Sequence, residues 1–290
     1  MTFDVEDYFH VGAFADRVDK GDWERYPSRV EANTWRSIEI VENAGYKGTF
    51  FVLGWVAEHF PHLVKRIVAG GHEIACHSSD HRHIFQMTPE EFRKDTFRAK
   101  QAVEDAAGVP VRGYRAPNFS ITADSLWAFE ILIEAGFVYD SSIFPVHHPN
   151  YGMSRLPRTP FLVQTPAGSI IEFPMPTIAV GDRRAPLAGG AYLRLLPYSY
   201  TRWGIYFLNR TEQCSACVYV HPWELDPEQP RLNVSLTAGL RHYLGLSTLE
   251  KKLRQLLRDF EFATLESFLP PANELDSMLD VRNLSSALAP

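Results

Sequence analysis

His72-Glu73-Ile74-Ala75-Cys76-His77-Ser78-Ser79-Asp80-His81 is the stretch that decides the fold. Residues 72–76 follow the helix-stopping pair Gly70-Gly71 and read as a short buried strand, and two histidines four residues apart come directly after it. On a helical turn that spacing puts both imidazoles on one face, within reach of a single divalent ion. Because His72, His77, His81 and His83 belong to a chain with 11 histidines, the spacing alone is a weak signal. Its weight depends on whether other strands end in the same kind of chemistry.

They do. Strands are expected at 1–4, 49–52, 113–115, 137–140, 170–174 and 216–221, with a further one at 262–265. Amphipathic helices are expected between them: 30–44, one near Val56, 62–69, 88–107, 123–135, 200–209 and 249–260. Thr88-Pro89-Glu90-Glu91 carries the capping-box pattern that starts the fourth of these. Proline- and glycine-rich irregular regions are expected between the fifth and sixth strands and again around 179–190. Such alternation belongs to a parallel α/β architecture. Asp4, His77, Arg115, Asp140 and His221 each fall at the C-terminal end of a strand, where parallel barrels build their sites. The expected fold is therefore a distorted parallel (β/α) barrel of about seven strands, with irregular insertions and a C-terminal extension.

A hydrolytic metal centre needs few protein ligands, an open position, a base and an acid. His77 and His81 supply two nitrogens, and Thr2-Phe3-Asp4-Val5-Glu6-Asp7 offers carboxylates at the end of the first strand. If that strand stays extended through Val5, Asp4 and Glu6 share a side, leaving Glu6 as ligand and Asp4 as base. If the chain turns after Val5, Asp7 takes the ligand position instead.

Composition excludes other classes. A length of 290 with 45% hydrophobic and 22% charged residues fits a globular protein with a sizeable core. A net charge of −6 without a lysine/arginine block argues against a nucleic-acid partner. No apolar run approaches the roughly 20 residues of a membrane helix. No basic and apolar leader precedes Asp4 either, so the expectation is a cytoplasmic protein without a transmembrane segment. Three cysteines make no disulfide framework: Cys76 reads as core, and Cys214 and Cys217 as partly buried thiols. No oligomeric state follows from these residues.

Taken in order, the motifs resemble those of polysaccharide deacetylases of carbohydrate esterase family 4, which includes chitin, chitooligosaccharide and peptidoglycan deacetylases. Thr2-Phe3-Asp4 is similar to the family's first motif, although Val5 stands between Asp4 and the next acid where adjacent aspartates are common. His77-Ser78-Ser79-Asp80-His81 matches the second, Arg115-Ala116-Pro117-Asn118-Phe119 the third, Asp140-Ser141-Ser142 the fourth and Val218-Tyr219-Val220-His221-Pro222 the fifth. Gly48-Thr49-Phe50-Phe51 resembles the second family strand. Within the family the likeness is to the exosortase-associated exopolysaccharide deacetylases. It lies in Asp4-Val5-Glu6-Asp7-Tyr8-Phe9-His10, in His221-Pro222-Trp223-Glu224-Leu225-Asp226-Pro227 and in the C-terminal extension.

The resemblance implies hydrolysis of N-acetyl groups on an amino-sugar glycan, releasing acetate, in exopolysaccharide biosynthesis. It implies Zn2+, or another divalent metal such as Co2+, on Glu6 (or Asp7), His77 and His81. Asp4 would be the base, His221 the acid, Asp140 the carboxylate orienting His221, and Arg115 the group positioning Asp4. The backbone N–H at Asn118 would face the oxyanion, with Phe119 and Trp223 against the substrate and His10 lining the groove. One catalytic domain is expected over 1–270, with core motifs within 2–222, an extension of about 223–270 and a peripheral tail over 271–290. The competing readings are a hydrolase of the same scaffold cleaving a small non-peptide amide, and a degenerate carbohydrate-binding protein.

Overall fold

The structure is a computed structural model that describes residues 1–281 apart from 16, 149–150, 182, 188, 272–273 and 276–277. Among the described residues the strands are β1 (Thr2–Val5), β2 (Thr49–Val52), β3 (Glu73–Cys76), β4 (Gly113–Tyr114), β5 (Tyr139–Asp140), β6 (Phe161–Thr165), β7 (Gly168–Glu172), β8 (Thr177–Val180), β9 (Arg183–Pro186), β10 (Tyr219–Val220) and β11 (Met278–Asp280). The helices are α1 (Val30–Asn43), α2 (Gly54–His59), α3 (Pro61–Ala69), α4 (Pro89–Ala107), α5 (Ala128–Glu134), α6 (Gly190–Leu195), α7 (Tyr198–Arg210), α8 (Leu236–Tyr243) and α9 (Leu246–Asp259). The main sheet runs β10-β1-β2-β3-β4-β5-β7-β6-β11. Its seven strands from β10 to β7 are all parallel. β6 then returns antiparallel along β7, and β11 lies parallel to β6. The chain thus forms an α/β fold with a mostly parallel, barrel-like sheet.

Strand alternation sorts the side chains onto two faces. Phe3, Val5, Phe50, Val52, Ile74, Cys76, Tyr114 and Val220 join the large core that includes the helix residues. Phe51, Ala75, Tyr139, Ile171 and Tyr219 point the other way and form a second cluster on the inner face. Asp4 pairs in register with Phe51, and Phe51 with Ala75, so Asp4 lies on that inner face. Helix boundaries follow local chemistry. At α4, Thr88 Oγ1 accepts from the Glu91 N–H at 3.3 Å while Glu91 Oε2 accepts from the Thr88 N–H at 2.8 Å. Its far end is closed by Gly108 in the left-handed region, φ 71°.

Several expected elements differ. Residues 262–265 form no strand; Leu265 instead gives its N–H to Thr49 Oγ1 at 2.8 Å, a side chain rather than a ladder partner. The first region expected to be irregular contains β6, and the second contains the β8–β9 hairpin. Of the expected tail over 271–290, β11 lies at the end of the sheet order, and 282–290 are outside the described residues.

Gly113 shows how tightly the inner face is packed. A Cβ there would lie 2.1 Å from Cζ of Tyr139 on the neighbouring strand, whose hydroxyl is bonded to Glu73. Gly113→Ala should therefore lower stability by about 1–3 kcal/mol, the range for overpacking. Urea denaturation checks this, and a variant as stable as the wild type would show that the ring is not held there.

Candidate active site

The site is built from β1 outward. Glu6, two residues beyond Asp4, continues the inward phase. Its carboxylate meets His77 and His81, the three offering ligand atoms that all lie within 4.8 Å of one another. His81 Nε2 is 2.7 Å from Glu6 Oε2, and both side chains are almost completely buried.

His77-Ser78-Ser79-Asp80-His81 is a loop, not the helical turn its spacing suggests. Ser78 and His81 both adopt the left-handed region, with φ 65° and 55°. Such backbone costs of order 1–3 kcal/mol per residue and persists only where its surroundings impose it. Here they do. The Ser78 and Ser79 carbonyls accept the N–H groups of Gly54 and Trp55 at 2.8 and 3.1 Å, at the start of α2. Asp95 of α4 takes the Ser79 N–H at 3.0 Å, and Ser78 Oγ takes that of His81 at 3.2 Å.

His77 Nδ1 lies 2.8 Å from the Arg115 carbonyl oxygen, which can only accept, so Nδ1 carries the proton and Nε2 presents a lone pair. His77 Nε2 is buried without a hydrogen-bond partner. Burial holds His77 down to about 4, so the ring is neutral. Burial opposes ionisation of Glu6, but the charge and hydrogen bond of His81, with His221 and His77, hold it well below the usual carboxylate range. Two imidazole nitrogens and one carboxylate oxygen, all buried and gathered within 4.8 Å, fit a divalent metal of zinc type.

The alternative ligand, Asp7, is turned away. Its Oδ2 accepts from Ser28 Oγ, the Arg29 N–H and the Val30 N–H at 2.6, 2.8 and 3.0 Å, and its Oδ1 from the Tyr8 N–H at 2.9 Å. It fixes the start of α1. Glu6 is held from its other oxygen, as Oε1 accepts the indole N–H of Trp223 at 3.0 Å.

Arg115 is fully buried under the triad. It donates to Asp4 Oδ1 at 2.6 Å and Thr2 Oγ1 at 2.8 Å, to the Ser141 carbonyl at 3.1 Å and Oγ at 3.0 Å, and to Cys217 Sγ at 3.4 Å. Its guanidinium carbon sits 4.0 Å from the Phe51 ring centroid. His221 is the most accessible of these groups, with 20% of its side chain exposed, and its Nε2 lies 3.7 Å from Glu6 Oε1. Burial alone would lower its pKa. The hydrogen bond to Glu224, with the charges of Glu224, Glu6 and Asp4, outweighs burial and raises it to about 9.

Asp140 is not placed on His221. Tyr139 points inward, so the next residue of β5 faces the opposite side of the sheet. There the Asp140 carboxylate accepts from Ser142 Oγ at 2.6 Å and lies against Glu172, whose pKa is driven well up by burial and by Asp140. The carboxylate on His221 Nδ1 is that of Glu224, at 3.1 Å. The sequence carried a signal for it: His221 to Glu224 has capping-box spacing, and Glu224 Oε2 also accepts the His221 N–H at 2.9 Å.

Of the residues expected at the substrate, Asn118 is exposed in a left-handed turn, φ 51°, with Nδ2 2.8 Å from His83 Nε2. Phe119 is buried edge-on against Tyr219. Trp223 is buried between His221 and His242, stacked at 5.2 and 4.1 Å, and so touches Glu6 rather than an open groove. His10 is packed among Phe9, Trp23 and Trp55, and its Nδ1 accepts the Asp7 N–H at 2.9 Å.

The chain is similar to known polysaccharide deacetylases. Residues 18–136 match the polysaccharide deacetylase family model. Residues 141–270 match a second model, a domain of unknown function, DUF3473. A peptidoglycan-N-acetylglucosamine deacetylase of Bacillus cereus is 32% identical over 98 residues, 33% of this chain and 36% of that protein. A chitooligosaccharide deacetylase of Bradyrhizobium is 31% identical over 90 residues, 31% of this chain and 41% of that protein. These matches thus span less than half of either relative. A candidate polysaccharide deacetylase from Mycobacterium smegmatis, known from its crystal structure, superimposes over 100% of this chain and 91% of its own, with a TM-score of 0.60 at 22% identity. The fold is shared with that structure.

Glu6→Gln should abolish stoichiometric zinc binding, whereas Asp7→Asn should keep zinc while lowering the melting temperature. Metal analysis after dialysis, with thermal unfolding with and without zinc, checks both. Zinc retained by Glu6→Gln and lost from Asp7→Asn would assign the ligands the other way.

Proposed function

We propose that the protein is a metal-dependent polysaccharide N-deacetylase, hydrolysing the N-acetyl groups of an amino-sugar glycan. The observation that carries this reading is the buried Glu6–His77–His81 triad, with His77 Nε2 unpartnered, beside the Asp4–Arg115 pair. A divalent ion bound there, zinc by its donor set, would supply Lewis-acid polarisation and lower the pKa of water.

The protein's own groups account for the proton movements. Asp4, fixed by Arg115, accepts a proton from the water that attacks the acetyl carbonyl. His221, across the triad and protonated, gives its Nε2 proton to the departing amine nitrogen as the C–N bond breaks, leaving acetate and a free amine. Arg115 has all five N–H groups engaged, so Asp4 cannot rotate away without leaving a buried cation unpaired. The fold likeness, the family match over 18–136 and the likeness to named glycan deacetylases support the same chemistry.

On this reading residues 1–270 act as one catalytic unit, and the likeness of residues 4–10 and 221–227 to the exosortase-associated exopolysaccharide deacetylases supports a role in exopolysaccharide biosynthesis. Among the described residues no helix is long and apolar enough to cross a membrane.

The test is acetate release from a panel of N-acetylated glycans, with chelator and with zinc or cobalt added back. Chelation should abolish release and re-addition restore it. Asp4→Asn keeps an oxygen for Arg115 and should stay folded while losing about 10²–10⁴-fold in kcat. Near-normal turnover by a folded Asp4→Asn or His77→Ala protein would refute the assignment.

A further inference from the structure

The segment matched as a domain of unknown function contains a buried ion pair outside the reacting groups. Arg194 of α6 donates from Nε to Glu224 Oε1 at 2.6 Å, and the two side chains are 2% and 1% exposed. The other oxygen of Glu224 faces His221 Nδ1 at 3.1 Å. Arg194 is itself immobilised: Nη1 donates to the carbonyls of His242 and Leu244 at 2.9 and 2.6 Å, and Nη2 to that of Arg241 at 3.1 Å. Lys252 Nζ binds three carbonyls around the end of α6, those of Leu193, Arg194 and Leu196, at 3.0, 2.7 and 2.8 Å. The start of α6 is fixed from the barrel side, since Gly189 and Gly190 take positive φ against the side chain of Tyr219, where a Cβ would lie 2.1 Å from ring Cδ1 and 2.9 Å from the hydroxyl oxygen.

A buried pair of this kind is a poor source of net stability. Desolvating two charges costs as much as their attraction returns, so an apolar staple would serve α6 as well. A carboxylate held on one oxygen by a fixed guanidinium and offering the other to an imidazole serves a different end. It fixes the ring's tautomer with the proton on Nδ1 and directs Nε2 inward.

We propose that Arg194 and Glu224 are positioning residues for His221, so that residues 141–270 complete the acid half of a reaction whose metal and base half comes from the first 120 residues. This rests on the deacetylase reading above. Asp140, in the family-like position, takes no part in it.

A positioning role for an acid predicts dependence on the leaving group. An amine must be protonated to depart, whereas the nitrophenolate of 4-nitrophenyl acetate leaves without a proton. In the zinc-loaded protein, Glu224→Gln should lower kcat for the N-acetylated glycan by about 10²-fold with KM little changed. Its loss on 4-nitrophenyl acetate should be at least tenfold smaller. Arg194→Gln should follow the same pattern, add little in the double variant, and be partly rescued by Arg194→Lys. ¹⁵N-edited NMR should show the Nδ1 proton of His221 shifted upfield in Glu224→Gln. If Glu224→Gln does not fold, Glu224→Asp, which keeps the charge and shortens its reach, carries the same comparison. Equal losses on both substrates, no loss on either, or an unmoved Nδ1 proton overturn the proposal. If the wild type itself turns over no glycan in the panel, the deacetylase reading fails, and the positioning role fails with it.

Discussion

The interaction on which the rest depends is the pairing of Arg115 with Asp4 inside the sheet. A guanidinium with no solvent contact must have every N–H satisfied and its charge balanced. Satisfying it recruits β1 through Thr2 and Asp4, the end of β5 through Ser141, and the approach to β10 through Cys217. The backbone of the same residue accepts the proton of His77 Nδ1 and so decides which nitrogen that ring turns to the triad. One buried cation therefore sets the direction of a carboxylate and the tautomer of an imidazole in the candidate metal triad. Removing either charge of such a pair costs about 3–5 kcal/mol.

Three acids within four residues are divided among three tasks by elementary geometry. Asp4 is in phase with the inner face while β1 is still extended. Glu6 keeps that phase one step beyond the last ladder residue. Asp7 falls out of phase just as the chain turns, and its carboxylate collects the N–H groups at the start of α1. Val5, between Asp4 and Glu6, belongs to the outer core. The spacing that departs from adjacent aspartates thus gives Asp4 and Glu6 the same face without crowding two carboxylates at adjacent positions.

Much of this was legible in the sequence, because strand ends and period-2 alternation are local signals. The seven parallel strands, the capped helix α4 and the clustering of Asp4, His77, Arg115 and His221 follow from them. What was not legible depended on neighbours distant in sequence. The His77–His81 loop takes its left-handed turns from bonds to α2 and α4. Residues 262–265 form no ladder, and Leu265 gives its N–H to the distant Thr49 hydroxyl instead. The β8–β9 hairpin and α6 arise in a stretch whose prolines and glycines signal only irregularity. Asp140 is instructive because the signal was present: its phase relative to Tyr139 aims it at the other face, whereas Glu224 lies three residues beyond the histidine it bonds.

The position of β1 in the sheet has a consequence for how the molecule is made. β1, the earliest of the described strands, is flanked by β2, which follows within about fifty residues, and by β10, which begins at Tyr219. Its second edge stays open until nearly the whole barrel has been synthesised, and exposed parallel edges are slow to pair and prone to wrong partners. The indole that holds Glu6 and the histidine opposite Asp4 arrive with that same late strand. An incomplete chain ending before residue 219 would thus hold His77 and His81 without the partners that surround Glu6 in the finished sheet.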